Sequence, residues 1–563
     1  MRRWNGWGDE AIEVALPHGS RAFLEREIGP GTHRPDASFE AAVASVPPTR
    51  GPAHRLLSDD AADRLRHARG QSLADWVAVR SGRLGWLPDA VAHPASDADV
   101  RELLRWASDT GTALIPYGGG TSVAGHVTRA PDAGPTVTLA LDRLADVHDV
   151  DPAAGLATFG AGIVGPALEA ALADHGSTLG HFPQSFDYSS LGGWIATRSS
   201  GQQSRGYGRI EDLFAGGHME TPLGELDLPA FPASAAGPDV RQLVLGSEGR
   251  LGILTRATVR IAPLPERETW PAFAMPDLAS GLAAARELAQ ARLPLSMIRL
   301  QTAPETRTTL MMAGRPRTMG ALTRYLRWRG VGAERCLLLL AVTGRRRLVA
   351  ATGRELRRIV GRHGGVRLPT FGQHWVKERF RSAYLRNALW DAGYAVDTLE
   401  TAAPWPAIPG LLASVAPTLR HGLEADGERV HAFSHLSHVY PSGSSLYTTY
   451  LFRLAEDPDE TLDRWARLKA AASAAIVAGG GTISHQHGVG RDHAPYLPSE
   501  KGEPGMAALR ASIAALDPAR IMNPGALVAD DDRGAGTTVG LGAAEPAIEP
   551  GTEAVPLAAA PAR

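Results

Sequence analysis

The segment Pro116-Tyr117-Gly118-Gly119-Gly120-Thr121-Ser122-Val123 sets three adjacent glycines beside two hydroxyl side chains. Glycine reaches positive φ and lets backbone approach a ligand with no Cβ in the way. Successive amides in such a turn converge on a phosphate as a nest. Taken alone, the stretch is also compatible with a tight turn between two strands. It lacks the lysine of a P-loop, and it does not open a helix as a dinucleotide fingerprint does. Two more glycine-bearing turns follow, each beside a strand. One is Gly192-Gly193, flanked by Ser189, Ser190, Thr197, Ser199 and Ser200; the other runs from Gly246 to Gly252. Three such turns suggest one long phosphate-bearing cofactor laid across several loops. The alternative is a glycine-rich surface on an ordinary α+β enzyme.

These turns need elements to hold them. Ala113-Leu114-Ile115 reads as a strand entering the first turn. Before it, residues 97–108 read as a helix capped by Ser96, with Val100, Leu103, Leu104 and Ala107 as its apolar stripe. Strands are expected over 136–141 and 156–160, a helix over 165–175, and a strand ending near Ile261. Pro263-Leu264-Pro265 marks a boundary. Beyond it, helices are expected over 277–291, 345–363, 406–419, 459–477 and 507–516. A strand covers 336–343, and an antiparallel pair, 431–440 with 444–454, turns at Pro441-Ser442-Gly443. This region reads as α+β, one sheet with helices on one side.

With 563 residues, 44% hydrophobic and 21% charged, the chain has room for two or more domains. A net charge of -2 argues against a general nucleic-acid partner. The single cysteine, Cys336, opens an apolar run and permits no disulfide within the chain. No stretch is apolar enough to span a bilayer, and neither end reads as a signal peptide or a peroxisomal address. A cytoplasmic protein is expected, with peripheral membrane contact at most and a homodimer as the default assembly. Trp4 and Trp7 sit in a short N-terminal segment and are expected to dock.

The three glycine segments, with Trp194-Ile195-Ala196-Thr197-Arg198 and Tyr207-Gly208-Arg209-Ile210-Glu211-Asp212-Leu213, resemble the FAD-binding domain of the vanillyl-alcohol oxidase/p-cresol methylhydroxylase (PCMH-type) flavoproteins. Within that superfamily the chain resembles the alkyldihydroxyacetonephosphate synthase (alkylglycerone-phosphate synthase) family, from Trp4 to Gly525. The resemblance implies an α+β fold: a PCMH-type FAD-binding domain of two α+β subdomains and an α+β cap with an antiparallel sheet over the flavin. The expected organisation is a wrapping segment at 1–84, the FAD domain at 85–265 and the cap at 266–484. A return to the FAD domain follows at 485–528, then a disordered tail at 529–563.

The resemblance also implies a reaction and a site. The acyl group of acyl-dihydroxyacetone phosphate is exchanged for a long-chain alcohol, on FAD, in ether lipid synthesis. Cofactor contacts are implied at Tyr117, Gly118, Gly119, Gly120, Thr121, Ser122 and Val123. They continue at Gln184, Ser185, Phe186, Asp187, Tyr188, Ser189 and Ser190, and at Thr197, Arg198, Ser199 and Ser200. The last set is Glu248, Gly249, Arg250, Leu251, Gly252, Ile253 and Leu254. Gln184 stands where the family has Asp. Thr121 stands where some relatives carry a flavin-linked histidine, so FAD is expected to be non-covalent, and His126 is expected to be a loop residue.

Tyr447 matches the family's catalytic tyrosine and Arg386 its substrate-binding arginine, whose planar fork suits a phosphate. Arg299 matches an arginine important to activity; an arginine in an apolar strand is equally a buried ion-pair partner. Ser484-His485-Gln486-His487 matches a run of three histidines, with Gln486 in the middle. Glutamine is no base, so His485 or His487 carries proton transfer, or the mechanism is altered. The second candidate is a FAD-dependent D-2-hydroxyacid dehydrogenase of the lactate or 2-hydroxyglutarate type. Its metal would need ligands where Tyr447 and Gln486 stand, and His435 and His438 fall on opposite sides of a regular strand. No metal is expected. A third candidate is a flavin-binding module without activity.

Overall fold

The computed structural model describes residues 2–313 and 316–529. From residue 530 on, the tail expected to lack structure lies outside the described residues.

The first glycine turn sits at the end of a parallel strand. Leu57–Ser58, Ala90–Ala92, Thr136–Ala140 and Ala113–Tyr117 form a four-stranded sheet in that order, its last three strands parallel. Helix Asp97–Thr110 packs on it. The Ser96 hydroxyl accepts from the Asp99 amide at 3.2 Å, and Gly111, at φ 67°, ends the helix. Val100, Leu103, Leu104 and Ala107 are buried as the apolar stripe requires. The next strand begins at Thr136, so the Gly118–Gly120 turn is no hairpin between sequential strands.

A second, antiparallel sheet runs Val147–Asp151, Leu156–Gly160, Ile253–Arg260, Phe214–Thr221, Gly224–Leu228. Helix Leu191–Thr197, capped by Ser190, belongs to the core of this sheet through Leu191, Trp194 and Ile195. The other two glycine turns flank these elements.

The third large sheet is antiparallel and has eight strands. Its path is Val366–Arg367, Ala272–Met275, Cys336–Gly344, Leu295–Gln301, His431–Val439, Gly443–Arg453, Tyr394–Pro404, with Arg267–Thr269 also paired to Cys336–Gly344. The architecture is α+β, as expected. The helices are not confined to one side. Leu338, Leu340 and Val342 enter the core with helices Leu278–Gln290 and Arg346–Arg362, while Leu337, Leu339 and Ala341 face Leu326, Phe371 and Trp375 on the other. Both faces of this strand are covered, which is why 336–342 is apolar without alternation. Towards Tyr394–Pro404 one face is left for a cavity.

The helix expected at 507–516 begins earlier, at Leu497, and breaks at Gly502 with φ 65°. Pro498 is tolerated in the first turn and Pro504 follows the break, so neither proline excludes helix here. The N-terminal tryptophans do dock. Trp4 lies edge-on to Phe39 and Trp7 edge-on to Tyr188. The Trp7 amide donates to Asn387 Oδ1 (3.1 Å), and Asn387 Nδ2 donates back to the Trp7 carbonyl (3.0 Å).

Candidate functional site

The three glycine turns converge on one cavity of about 580 Å³. A Cβ on Gly119 would overlap the Tyr188 carbonyl oxygen, and one on Gly118 the Ser190 hydroxyl, so the first two turns meet backbone to backbone. The third joins them through the Gly246 amide to the Ile195 carbonyl (3.1 Å) and the Glu248 amide to the Ala196 carbonyl (2.9 Å). Gly249 leaves no space for a Cβ against Pro116. The residues fit a dinucleotide. Backbone of Gly118, Gly119 and Gly120 is bare toward the cavity, beside Thr121, Ser122, Ser189, Ser190, Thr197, Ser199 and Ser200.

Not every residue expected at the cofactor reaches the cavity. Val123, Gln184, Ser185, Glu248, Gly249, Gly252 and Leu254 line it; Tyr117, Phe186, Asp187, Tyr188, Arg198, Arg250, Leu251 and Ile253 do not. Tyr117 turns its ring away and donates to the carbonyls of Arg66 and Arg69 (3.3 and 3.1 Å). Phe186 stacks on Phe380, and Tyr188 meets the Tyr384 hydroxyl at 2.7 Å. Arg198 pairs with Glu211 at 3.1 Å. Leu251 and Ile253 belong to the core.

His126, expected to be a loop residue, is buried and lines the cavity. Its Nδ1 lies 2.5 Å from the Ser122 hydroxyl and its Nε2 3.3 Å from Glu248. The Glu248 carboxylate accepts from the amides of Val489 (2.5 Å) and Gly490 (2.8 Å), tying the C-terminal loop to the cradle. Burial pushes the Glu248 carboxyl up, but His126 and the two amides outweigh it and hold the group below its ordinary value. The sequence signal was a histidine four residues after Ser122 in the same glycine loop.

The opposite wall is the third sheet. Glu400, Tyr447, His435 and Gln301 occupy one row across four neighbouring strands. Tyr447 lines the cavity, donates to Thr398 Oγ1 at 3.1 Å, stacks on His435 and meets His487 edge-on. Burial raises its phenol well above the usual value, so it is a protonated donor. Arg299 is both a cavity residue and an ion-pair partner. It lines the cavity, and its Nη2 pairs with Glu305 at 2.9 Å. His435 Nδ1 closes the triad 2.9 Å from the other Glu305 oxygen.

Arg386 lines the cavity from the 385–391 helix. Its Nη1 donates to the Gln71 carbonyl at 2.5 Å and its guanidinium lies over Trp76 at 4.2 Å. Its Nη2 is buried without a protein partner. Burial pulls the group down to about 10, against the attraction of Asp397, Asp75 and Tyr447.

The histidine run divides. Gln486 and His487 line the cavity, and His485 lies behind it, with Nε2 2.7 Å from the Tyr440 hydroxyl and its ring stacked on His438. Burial, then His438 and Arg209, hold His485 neutral. His435 and His438 both reach the cavity, contrary to strict alternation, because the register shifts between Leu436 and Val439. Two clusters of histidines and carboxylates among the described residues have ligand atoms close enough to share an ion, Asp63/His67/His93 and Asp97/His218/Glu220; none of these residues lines the cavity.

Part of the cavity lining is an apolar arm, with Ser20, Thr308 and His431 beside it. Phe23 and Leu24 of helix Ser20–Ile28 face Leu389, Val396, Phe433 and Leu451 there. Such a cleft takes a hydrocarbon chain at one end and a polar headgroup at the other.

Comparison with known proteins agrees with this geometry. A FAD binding domain model matches residues 88–227, and the model of the C-terminal domain of FAD linked oxidases matches 264–527. An alkyldihydroxyacetonephosphate synthase of Caenorhabditis elegans is 31% identical over 92% of this chain and 94% of its own. That of Dictyostelium discoideum is 29% identical over 93% of each. A solved structure of an alkyldihydroxyacetonephosphate synthase superposes with a TM-score of 0.77 at 26% identity, covering 93% of this chain and 98% of the other.

Proposed function

The chain belongs to the alkyldihydroxyacetonephosphate synthase family, and we propose that it exchanges the acyl group of acyl-dihydroxyacetone phosphate for a long-chain alcohol on FAD. One observation carries the proposal. A protonated phenol, a buried guanidinium with an unpartnered nitrogen and an apolar arm open into the cavity that the glycine turns enclose.

The amides of 118–120 and the hydroxyls of Ser122, Ser190 and Ser200 would hold FAD. When bound, FAD would supply the electrophilic ring chemistry of the exchange. Arg386 would anchor the substrate phosphate through Nη2. The Tyr447 O–H would donate to the departing carboxylate oxygen. His487 would take the proton of the incoming alcohol. Arg299, held by Glu305, would add positive charge beside the phenol and steady the oxygen that gains charge as the acyl group leaves. The arm lined by Phe23, Phe433 and Leu451 would bind the alkyl chain.

The substrates are lipid-like, and the enzyme would meet them by peripheral contact with a membrane surface. No helix among the described residues is long and apolar enough to cross a membrane. The test is an absorbance spectrum of the purified yellow protein before and after acyl-dihydroxyacetone phosphate, followed by product analysis with hexadecanol. Bleaching and an ether product are expected. Reduction by a D-2-hydroxyacid in their place would assign a dehydrogenase, and a spectrum inert to both a binding module.

A further inference from the structure

We propose that Glu400 is a positioning residue that sets the Gln486–His487 turn, and with it the His487 imidazole, against Tyr447. The proposal rests on the reading of Tyr447 and His487 as the donor and acceptor of the reaction. Glu400 lies on strand Tyr394–Pro404 and is 1% exposed, behind the cavity wall rather than in it. Its Oε1 accepts from two consecutive amides, Gln486 at 2.6 Å and His487 at 2.7 Å. The same oxygen stands 3.6 Å from His487 Nδ1, an ion-pair distance, and Oε2 stands 3.9 Å from His485 Nδ1, a buried nitrogen with no hydrogen-bond partner.

Among the described residues no arginine or lysine pairs with this carboxylate. A buried charge without a cationic partner is costly, and an acceptor for two amides needs no charge, since a glutamine carbonyl would serve. What the charge adds is an effect on the imidazoles. It favours the proton on Nδ1 of His487, the ring nitrogen that faces Oε1. Glu400 is directly opposite Tyr447 across the strand pair, and the Tyr447 ring meets His487 at 5.5 Å between centroids and 82°. One carboxylate thus fixes both the height and the tautomer of the imidazole beside the phenol. The other titratable groups around the turn are His485 within it, with Arg209, Tyr440 and His438 against His485, His493 beyond it, and His126 with Glu248 against Gly488. Glu400 is the only carboxylate among the described residues within 4.0 Å of a His487 nitrogen.

The test uses the full-length flavoprotein and the variants Glu400→Gln and Glu400→Asp. Glu400→Gln keeps an acceptor for the two amides and removes the charge. Flavin content is expected to hold, kcat to fall about 10–100-fold with KM for acyl-dihydroxyacetone phosphate within about threefold, and Glu400→Asp to recover part of kcat. Independently of turnover, imidazole ¹⁵N spectra, with His487 assigned by loss of its signals in His487→Gln, report which ring nitrogen carries the proton. The proton is expected on Nδ1, the nitrogen facing Glu400, in the wild type, and shared between Nδ1 and Nε2 in Glu400→Gln. An unchanged tautomer with unchanged kcat overturns the proposal. Should Glu400→Gln lose its flavin, the wild-type spectrum decides, and a proton on Nε2 there is contrary. A wild-type protein that forms no ether product overturns the alkyl-transfer reading, while the His487 tautomer still decides the role of Glu400.

Discussion

Replacing Arg386 by methionine separates substrate binding from stability. Burial pulls the guanidinium down to about 10. A base depressed in the folded state binds its proton more weakly there than in the unfolded chain. Its charge therefore lowers stability at every pH below about 10, the neutral range included. A depression of this size corresponds to about 3 kcal/mol. Against it stand the hydrogen bond to the Gln71 carbonyl, about 1.5–3 kcal/mol for a charged donor, and the position over Trp76, about 1–2 kcal/mol. The opposing contributions nearly cancel. Arg386→Met is expected to unfold in urea within about 2 kcal/mol of wild type. Activity has no such compensation. The guanidinium lines the cavity and its Nη2 lacks a hydrogen-bond partner, and one charge-assisted hydrogen bond of about 1.5–3 kcal/mol corresponds to about 10–150-fold in kcat/KM. Inorganic phosphate should raise the melting temperature of the wild type and leave that of the variant unmoved. A kcat/KM within about threefold of wild type, or a stability loss beyond about 4 kcal/mol, would refute the assignment of Arg386 as an anion site held at little net cost.

Tyr447→Phe removes a hydroxyl that, among the described residues, is bonded to Thr398 alone. Urea unfolding should move by only about 0.5–1.5 kcal/mol, while turnover falls about 10²–10⁴-fold at unchanged flavin absorbance. Because burial raises the phenol, its deprotonation should leave no falling limb in the wild-type pH profile up to about pH 10. Gly119→Ala forces a Cβ into the Tyr188 carbonyl. Overpacking of about 1–3 kcal/mol should weaken flavin binding about 5–150-fold, read as the ratio of absorbance at the flavin band to that of the protein.

Local chemistry was legible wherever one element decided it. Ser96 and the apolar stripe located helix Asp97–Thr110, and the strand pair around Pro441-Ser442-Gly443 came from alternation. The unbroken run 336–342 carried a further message that the expected one-sided sheet ignored: no face is left for water. The remaining misses share a cause, that facing is a property of register. His435 and His438 share the cavity only because of a bulge that no residue type announces. Phe186, Asp187 and Tyr188 adjoin the cradle in sequence and turn away from the cavity in space. Glu400 reaches His487 across 87 residues, and His126 reaches Glu248 by the folding of two loops.

Gln486 poses the question that the sequence left open, and its surroundings supply an answer. The position borders His438, which burial holds down to about 3, and His485, which burial, His438 and Arg209 together keep neutral. A histidine placed there would be half-buried beside these two imidazoles. What Gln486 offers instead is a neutral amide, which lines the cavity and interacts with His438. The base we propose is next door, where His487 has a carboxylate within 3.6 Å and a phenol at its ring edge. Gln486→His is therefore expected to change kcat by less than about tenfold, and His487→Gln to lower it about 10²–10⁴-fold. Each is measured as ether product per flavin with saturating hexadecanol. Were Gln486→His to raise turnover more than about a hundredfold, the middle residue would own the proton transfer, and this chain would be running the reaction without its proper base.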